Sequence, residues 1–427
     1  MEISDIFTDR IKSIFLINHL NTMKHYYTLF FLLPLFLSCG PSTSLQSYEG
    51  IKEIVINPEE VDSILDLSEV LDDSIEIIPL ETYDECLIAD VKRVEFYKDR
   101  IYVLDETNNG ILVFDSRGKY QKRIGKQGNG PGEYAKLWNF TFKGDSILVK
   151  EMGGQKYIIY DLNSDFYREV PYDVWHFEVL LLENDTIYQI SNYEESKHGN
   201  YNLFKFDLRT SEVIASYIPY EEKHKNKSGY GLGRYTSRFG DAATLIYPFN
   251  DTIYTVRKDT VYPSYVLHFT SRSLPEDVDV NREDFSRYVR RNKFLKGFEY
   301  LQTTERFMLG YYVDYNLFKY FLYDKQTSEY KVGSMAQLSQ LGGLNIHYFY
   351  TTTTGDLVFL QQAEWLISYW KWAREKCSDM YREKMDNLIA SLNEDSNPVL
   401  FKVHMKSFYE AEGNDCLLYT SDAADEE

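Results

Sequence analysis

Residue types that usually mark a catalytic or metal site are scarce in this chain or poorly spaced. Its 427 residues include four cysteines, and no Gly-x-Ser-x-Gly segment that would hold a nucleophilic serine on a sharp turn. The histidines lack the paired spacing of a zinc site. They stand singly at His19, His25, His176, His198, His224, His268, His347 and His404. The sequence therefore predicts no catalytic residue, no metal and no cofactor.

Positive charge is also in short supply. The chain has 46 lysines and arginines against 66 aspartates and glutamates, which gives a formal net charge of −20. Because such a surface repels phosphate backbones, we expect no nucleic acid partner. Carboxylates are so frequent that a glycosidase-like pair stays open as an alternative, but the sequence does not indicate which two carboxylates would form it.

The apolar run at residues 26–37 is too short to cross a bilayer comfortably. It follows Met23 and Lys24 and precedes Ser38 and Cys39, which is the order of a signal peptide. The pattern over residues 23–38 resembles a bacterial lipoprotein signal, which implies that Cys39 is the lipid attachment residue. An ordinary secretory signal is the alternative. Residues 1–22 would then precede the true start, and residues 39–50 would form a linker.

The other end of the chain is also expected to be non-native, because residues 416–427 resemble a translated sequencing adaptor. With Cys39 and Cys416 set aside, Cys86 and Cys377 remain. A disulfide is chemically allowed in an exported protein. Whether these two cysteines pair stays open, because the bond demands a geometry that sequence cannot establish.

Two short phrases recur along the chain at a regular spacing. The first, Asp-x-Ile-(Tyr or Leu), begins at Asp99, Asp145, Asp185 and Asp251. The second, an aromatic residue followed by aspartate, ends at Asp115, Asp161 and Asp207. Aspartate bonds its own backbone in tight turns, and the β-branched and aromatic residues favour strands. Because successive copies of the second phrase lie forty-six residues apart, the sequence predicts β-propeller blades.

We therefore expect an all-β fold, a six-bladed β-propeller with helical insertions that occupies residues 51–415 as a single domain. Strands from residues 51–80 and 399–405 are expected to close the ring by sharing one blade, which leaves no open sheet edge. The aromatic content of 16% suits side chains packed between blades. A carbohydrate-stacking surface is the alternative use of these rings.

Four glycines are concentrated in residues 125–134, between two strand-like flanks. A phosphate-binding loop would instead open a helix, so we interpret this segment as a connection between blades. Together with Phe114 and Asp115, the segment resembles the blade junction of six-bladed propeller lipoproteins of Bacteroides-type bacteria, a family of unknown function with NHL-like repeats. The resemblance covers about residues 54–406. It implies an exported, lipid-anchored propeller and transfers no catalytic residues.

Two helices are predicted outside the repeats. One spans residues 282–296 with Asn281 as its cap and acidic residues in its first turn. The other is an amphipathic helix over residues 365–392, expected to pack across the ring, with a partner groove as the alternative. The basic segment at residues 223–234 is expected to be a flexible loop.

These features favour an exported, lipid-anchored binding or scaffolding protein of the bacterial cell envelope, held at a membrane that we expect to be the outer membrane. The expected partner is a glycan, a peptide or an envelope protein, bound by loops at one face of the ring. The alternative is a hydrolase or lyase in the channel that acts on polysaccharide or peptide. The fold alone cannot choose between these functions, and the ligand-binding residues stay unknown.

Overall fold

The apolar residues of the repeated phrases form strands that are covered on both faces. The computed structural model describes residues 50–183, 185–225, 236–258 and 260–408, all within the compact unit Thr43–Glu427. In the strand Arg100–Asp105, every residue after Arg100 is buried, as expected for a short apolar run inside a stack of sheets. The predicted signal peptide, Cys39 and the adaptor-like residues 416–427 lie outside the described residues.

Five large blades are built from strands that are adjacent in the chain. Three strands precede them: β1 (Lys52–Ile56), β2 (Leu65–Asp66) and β3 (Leu71–Pro79). Blade 1 contains β4 (Val91–Tyr97), β5 (Arg100–Asp105), β6 (Gly110–Asp115) and β7 (Tyr120–Ile124). The short pair β8 (Lys126–Gln127) and β9 (Glu133–Tyr134) follows, and blade 2 contains β10 (Leu137–Lys143), β11 (Ser146–Glu151), β12 (Lys156–Asp161) and β13 (Phe166–Pro171).

The next three blades repeat this order. Blade 3 contains β14 (Glu178–Glu183), β15 (Thr186–Ile190), β16 (Tyr201–Asp207) and β17 (Glu212–Pro219). Blade 4 contains β18 (Thr236–Phe239), β19 (Ala242–Leu245), β20 (Thr252–Arg257) and β21 (Thr260–Phe269), and β1 joins β21 as a parallel fifth strand. After helix α1 (Phe285–Asn292), blade 5 contains β22 (Phe298–Thr303), β23 (Phe307–Asp314), β24 (Leu317–Asp324) and β25 (Glu329–Gly333).

A small three-stranded sheet separates blade 5 from the last blade in the chain. It pairs β2 with β26 (Ala336–Leu338) and β27 (Leu344–Asn345). Counted with the large sheets, it brings the described residues to seven blades, so the predicted number of six is wrong. Strands of two or three residues are too short to produce a recognisable alternation in sequence.

The closing blade combines both ends of the described chain. It contains β28 (Phe349–Thr351), β29 (Asp356–Gln361), β30 (Val399–Met405) and, as its fourth strand, β3. β3 runs antiparallel to β30, with Ile77 opposite Phe401. The prediction that the two ends share one blade is confirmed for β3, and the all-β propeller class with it. β1 and β2, from the same predicted segment, instead join blade 4 and the three-stranded sheet.

Apolar clusters fill the spaces between neighbouring blades. Tyr102 of blade 1 packs in one cluster with Phe140 of blade 2, and Leu148 of blade 2 packs in another with Ile187 of blade 3. A further cluster joins Leu400 of the closing blade to blade 1. Because each blade buries both of its faces, the aromatic side chains serve first as the core, which is the structural role expected from the composition.

The two faces of the ring differ in the length of their connections. Each large blade is an antiparallel sheet that returns the chain to one face, which we call the loop face, and the opposite face is the turn face. Between described strands, connections at the turn face have two to four residues. The loop face carries residues 125–136, 270–297 and 362–398, and the connections into and out of the three-stranded sheet at residues 334–335 and 346–348. Long connections at one face are typical of a scaffold that positions a binding surface.

The glycine-rich segment is confirmed as a connection between blades, since residues 125–136 join β7 to β10. Gly132 has a φ of +71°, and a Cβ there would lie 2.6 Å from the ring of Phe166. Its backbone N–H donates to Glu169 Oε1 over 2.8 Å. Glycine is therefore required both by the left-handed backbone and by the close approach to blade 2.

The aspartates of the two phrases have different roles. Asp115 Oδ1 accepts the backbone N–H groups of Arg117 and Lys119 at 2.9 and 3.0 Å, so the second phrase forms the expected turn. Asp185 of the first phrase instead contacts Lys143 of the preceding blade at 3.0 Å. The expectation that the first-phrase aspartates bond their own backbone is therefore corrected at this position.

Both predicted helices are shorter than expected. α1 starts at Phe285 with Asp284, not Asn281, at its cap position, and Lys293 ends it with a left-handed φ of +61°. The long helix is divided into α2 (Ala363–Ala373) and α3 (Asp379–Ser391). The break occurs where Cys377 forms a β-bridge with Leu341, which draws the backbone out of the helix.

Cys86 and Cys377 are both buried free thiols, so the structure contains no disulfide between them. They belong to different apolar clusters. The Cys86 thiol donates to Glu81 O, and the Cys377 thiol approaches Gln340 O. Within the described ranges, no helix combines the length and the apolar character needed to cross a membrane.

Candidate functional site

Polar side chains from several blades meet where the inner strands converge. An inner strand is the first strand of a large blade, and Arg93 on β4 contacts Glu178 on β14, which places blade 1 against blade 3. Arg238 on β18 reaches Thr141 on β10, which joins blade 4 to blade 2. Because these contacts skip a blade, the residues lie around the axis of the ring. We call Arg93, Glu95, Thr141, Glu178 and Arg238 the axial cluster.

One arginine of the axial cluster holds two carboxylates. Arg93 Nη2 lies 2.7 Å from Glu95 Oε1, and Arg93 Nη1 lies 3.3 Å from Glu178 Oε1. Arg238 is the second cation of the cluster, and no described carboxylate comes within 4.0 Å of its guanidinium. Burial lowers the pKa of Arg238, whereas the nearby Glu95 carboxylate acts in the opposite direction. Both carboxylates of the axial cluster therefore pair with Arg93, and neither pairs with Arg238.

Neutral side chains link the inner strands of blades 4 and 5 and the closing blade. Ser237 Oγ accepts the backbone N–H of Thr303 at 2.8 Å and lies 3.0 Å from Thr351 Oγ1. The Gln302 carboxamide accepts the Thr351 N–H at 3.0 Å and donates to Thr236 O at 3.1 Å. One side of the axis is therefore charged and the other is a neutral hydrogen-bond network, which fixes the inner strands relative to one another.

A buried lysine lies beside the charged side of the axis. Lys150 on β11 is 1% exposed, and its ammonium donates to His176 O. The rings of Trp138, Tyr172 and Trp175 lie 5.5 to 5.7 Å from its nitrogen. Burial, with a smaller contribution from Lys92, lowers the pKa of Lys150 to about 7. An amine of this kind is a candidate base or nucleophile, but its burial keeps it from direct contact with solvent.

The neighbouring histidine is held in its neutral form. His176 Nδ1 donates to Val174 O at 2.7 Å, so Nε2 accepts the hydroxyl of Tyr157 at 2.7 Å. Gln189 Nε2 donates to the same hydroxyl. Burial, and then the Lys150 charge, lower the pKa of His176 well below its ordinary value. Both ring nitrogens are therefore used inside the protein, and the imidazole is not available as a ligand.

A cavity of about 570 Å³ opens at the turn face between blades 4 and 5. Lys325 lines it, and burial lowers the pKa of this lysine to about 8. Its ammonium donates to Thr303 Oγ1 at 2.7 Å, Thr304 O at 2.5 Å and Glu305 O at 3.2 Å. Since an ammonium has three hydrogens, Lys325 ties the turn together and has none left for a ligand.

The described residues contain no group of three or more histidine, cysteine, aspartate or glutamate side chains that could hold a metal ion. Two carboxylates do converge at the axis, Glu95 and Glu178, and both are paired with Arg93. The sequence named neither of them, although it left a carboxylate pair open. The register of the repeat marked these positions: Arg93, Asn139 and Glu178 pair with the corresponding residue of the second strand, and Glu95 stands two residues after Arg93 on β4.

Exposed apolar side chains are concentrated at the loop face. Fourteen large apolar side chains of the described chain are exposed, and five of these lie on or beside the outermost strands β1, β13 and β17. The other nine lie in or next to loop-face connections: Ile64, Tyr83, Leu87, Tyr315, Leu317, Met335, Tyr348, Trp372 and Met380. Single exposed apolar residues are ordinary, whereas their concentration at one face indicates a contact surface.

Radial sheets around a polar axis define the protein as a β-propeller. Residues 53–404 match the family described as "Domain of unknown function (DUF4934)". The chain therefore belongs to this family. No curated protein matches the chain.

Two solved structures from Bacteroides resemble this chain. One is a protein from Bacteroides fragilis NCTC 9343 described as exported, with 20% sequence identity and a TM-score of 0.68, covering 84% of this chain and 100% of that one. The other, a DUF4221 family member from Bacteroides vulgatus ATCC 8482, has 12% identity and a TM-score of 0.44, covering 79% and 97%. The first supports the fold. The resemblance to a Bacteroides-type propeller family of unknown function agrees with these findings, apart from its six blades.

Replacing Lys150 with methionine tests the buried amine through the pH dependence of stability. Below pH 7 the lysine is protonated in both states, so the cost of burying its charge is fully present. Between about 7 and the ordinary value of 10.5, the folded protein has lost this proton and the unfolded chain keeps it, so the stability of the wild type rises with pH. We therefore expect the wild type to gain several kcal/mol of stability relative to K150M as the pH rises from 7 to 10.

Urea unfolding at pH 7, 8, 9 and 10 measures this difference. Lys156→Met is the matched control, because Lys156 belongs to the same blade and pairs with Glu169. Parallel pH profiles for K150M and the wild type would show that Lys150 keeps an ordinary pKa.

Proposed function

We propose that this protein is an exported, lipid-anchored binding or scaffolding protein of the bacterial cell envelope, which recognises a glycan, a peptide or an envelope protein through its loop face. The concentration of exposed apolar side chains at that face carries the proposal. Exposed apolar residues that contact no partner are ordinarily scattered singly over a protein surface. Turn-face connections of two to four residues offer much less surface to a partner.

The best-defined part of the loop face is an aromatic patch at blade 5. Tyr315 and Leu317 stand at the tight turn between β23 and β24, and the Phe318 ring lies 6.5 Å from that of Tyr348. Arg272 holds the turn in place, because it pairs with Asp314 and its guanidinium lies 5.7 Å from the Tyr315 ring. The patch combines exposed rings with a fixed backbone, so little conformational freedom is lost on binding.

The envelope location rests on the signal pattern that ends at Cys39, and the similarity to a Bacteroides protein described as exported supports export. Gly50 and Ile51 lie at the turn-face cavity. Ten residues lie between Cys39 and Gly50, so the eleven steps along the chain span at most about 40 Å. The tether to a lipid on Cys39 would therefore start at the turn-face side of the described domain. The outer membrane is the proposed site of attachment.

A channel-sited hydrolase or lyase acting on polysaccharide or peptide is the second candidate. The convergence of Glu95 and Glu178 at the axis favours it, because paired carboxylates supply the acid and base of glycoside hydrolysis. Arg93 contacts both groups, however, so a carboxylate that acts on a substrate would first have to leave Arg93.

Replacing Tyr348 with alanine tests the loop face as the binding surface. Glycan and peptide arrays probed with the protein identify a ligand, and titration calorimetry then measures its Kd. Because an aromatic contact contributes about 1.4 kcal/mol, we expect Y348A to raise Kd about tenfold. Tyr167→Ala is the matched control, since Tyr167 is 74% exposed and Tyr348 66%, but Tyr167 lies on the outermost strand β13.

Equal losses of affinity in Y348A and Y167A would contradict binding at the loop face. Accumulation of a cleaved product during the same titrations would contradict a purely binding role. In that case Glu178→Gln should abolish the cleavage.

Replacing Cys39 with serine tests the lipid anchor. Metabolic labelling with an alkyne fatty acid should mark the wild type and leave C39S unmarked, and C39S should move from the membrane fraction to the soluble fraction. Two acyl chains are enough to hold a protein stably at a bilayer, which explains the complete shift. Cys86→Ser should keep the label, because Cys86 is buried. A labelled C39S protein would refute the proposed attachment residue.

A further inference from the structure

Arg238 is a cation at the axis that lacks a strong partner. Its one hydrogen bond within the described chain is a long one, 3.4 Å from Nη1 to Thr141 Oγ1. Its Nε is buried and has no hydrogen-bond partner. A guanidinium carries five N–H donors, so most of them are unused here.

Three other partly buried arginines of the described chain are paired with carboxylates. Arg93 binds Glu95 and Glu178, Arg272 binds Asp314, and Arg306 binds Asp324 at 2.7 Å. A buried charge is costly unless it is paired and hydrogen-bonded. Arg238 differs from these three, because no carboxylate of the described residues pairs with it. Arg100 and Arg123 also lack a carboxylate partner there, but each donates to a backbone carbonyl within 3.3 Å.

The surroundings of Arg238 do not supply that anion. Glu95 is the nearest acidic influence, but it is held by Arg93 at 2.7 Å. Arg93 itself adds positive potential beside Arg238. The one neutral side chain that Arg238 contacts from another inner strand, among the described residues, is Thr141. Arg238 and Glu95 both keep partial exposure, so small solutes can reach them.

We propose that Arg238 binds a small oxyanion at the axis, such as the carboxylate group of a ligand, with the Thr141 hydroxyl as a second donor. The planar guanidinium offers two parallel N–H groups that match a carboxylate, phosphate or sulfate. The positive charge of Arg93 strengthens the attraction. Arg93 does not compete for the anion, because its guanidinium already binds Glu95 and Glu178. This site does not depend on the aromatic patch, so its failure would leave the loop-face proposal untouched.

Thermal unfolding of the full-length protein tests the site. Acetate, phosphate and sulfate are each compared with chloride at equal ionic strength, which matches charge screening. Sulfate and phosphate also stabilise folded proteins in general, so each shift is compared with the shift of the Arg238→Met variant. We expect at least one oxyanion to raise the Tm of the wild type by about 2 °C or more over chloride, because it binds the folded state alone. Whether acetate, phosphate or sulfate gives the largest shift identifies the class of ligand.

Three variants separate binding from structure. Arg238→Met should lose the site-specific part of the oxyanion shift and show an equal or higher Tm in chloride, because an uncompensated charge is removed. Thr141→Val should reduce the shift, which keeps the test valid if R238M does not fold. Arg168→Met is the matched control: Arg168 also has a buried Nε without a partner, but it contacts Asp185 at 3.5 Å. R168M should keep the full shift.

The proposal is overturned if no oxyanion exceeds chloride in the wild type. It is also overturned if R238M, or T141V where R238M does not fold, keeps the full shift.

Discussion

The antiparallel pairing of β3 with β30 is the contact on which the ring depends. It joins residues more than three hundred positions apart, with Ile77 opposite Phe401 and Pro79 opposite Val399. The pairing supplies the fourth strand of the closing blade, and Ile78 and Leu400 then pack against blade 1. Without it, β30 would present an open edge and blade 1 would lose one covered face. Closure also keeps the inner strands together, and so builds the axial cluster.

Closure gives the two faces their different character. Because each blade returns the chain to the same face, insertions such as residues 362–398 can grow there without disturbing the strands. The turns on the opposite face are short and are fixed by hydrogen bonds such as those accepted by Asp115. The axis has two halves, one charged around Arg93 and Arg238 and the other neutral around Ser237. A rigid frame, a polar axis and one elaborated face together suit recognition.

The propeller class, the shared blade and the role of the glycine-rich connection could be predicted from sequence because each leaves a local signal. The three-stranded sheet was missed because β2, β26 and β27 have two or three residues and pair across a wide gap. The single late helix was wrong because a tertiary bridge from Leu341 to Cys377 overrides helical periodicity. The axial residues could not be named, because the register of the repeat marks matching positions on the inner strands but not which of them meet. Arg93 and Glu178 are 85 positions apart.

Native-state hydrogen exchange of the β3 and β30 amides tests ring closure most directly. If the two strands form one sheet that holds the ring, the amides of Leu71–Pro79 and Val399–Met405 exchange together. They should then share the opening free energy of the central strand β11, because all are exposed only by global unfolding. Exchange of β3 at a much lower free energy, with β30 and β11 still protected, would show that the ring does not depend on this pairing.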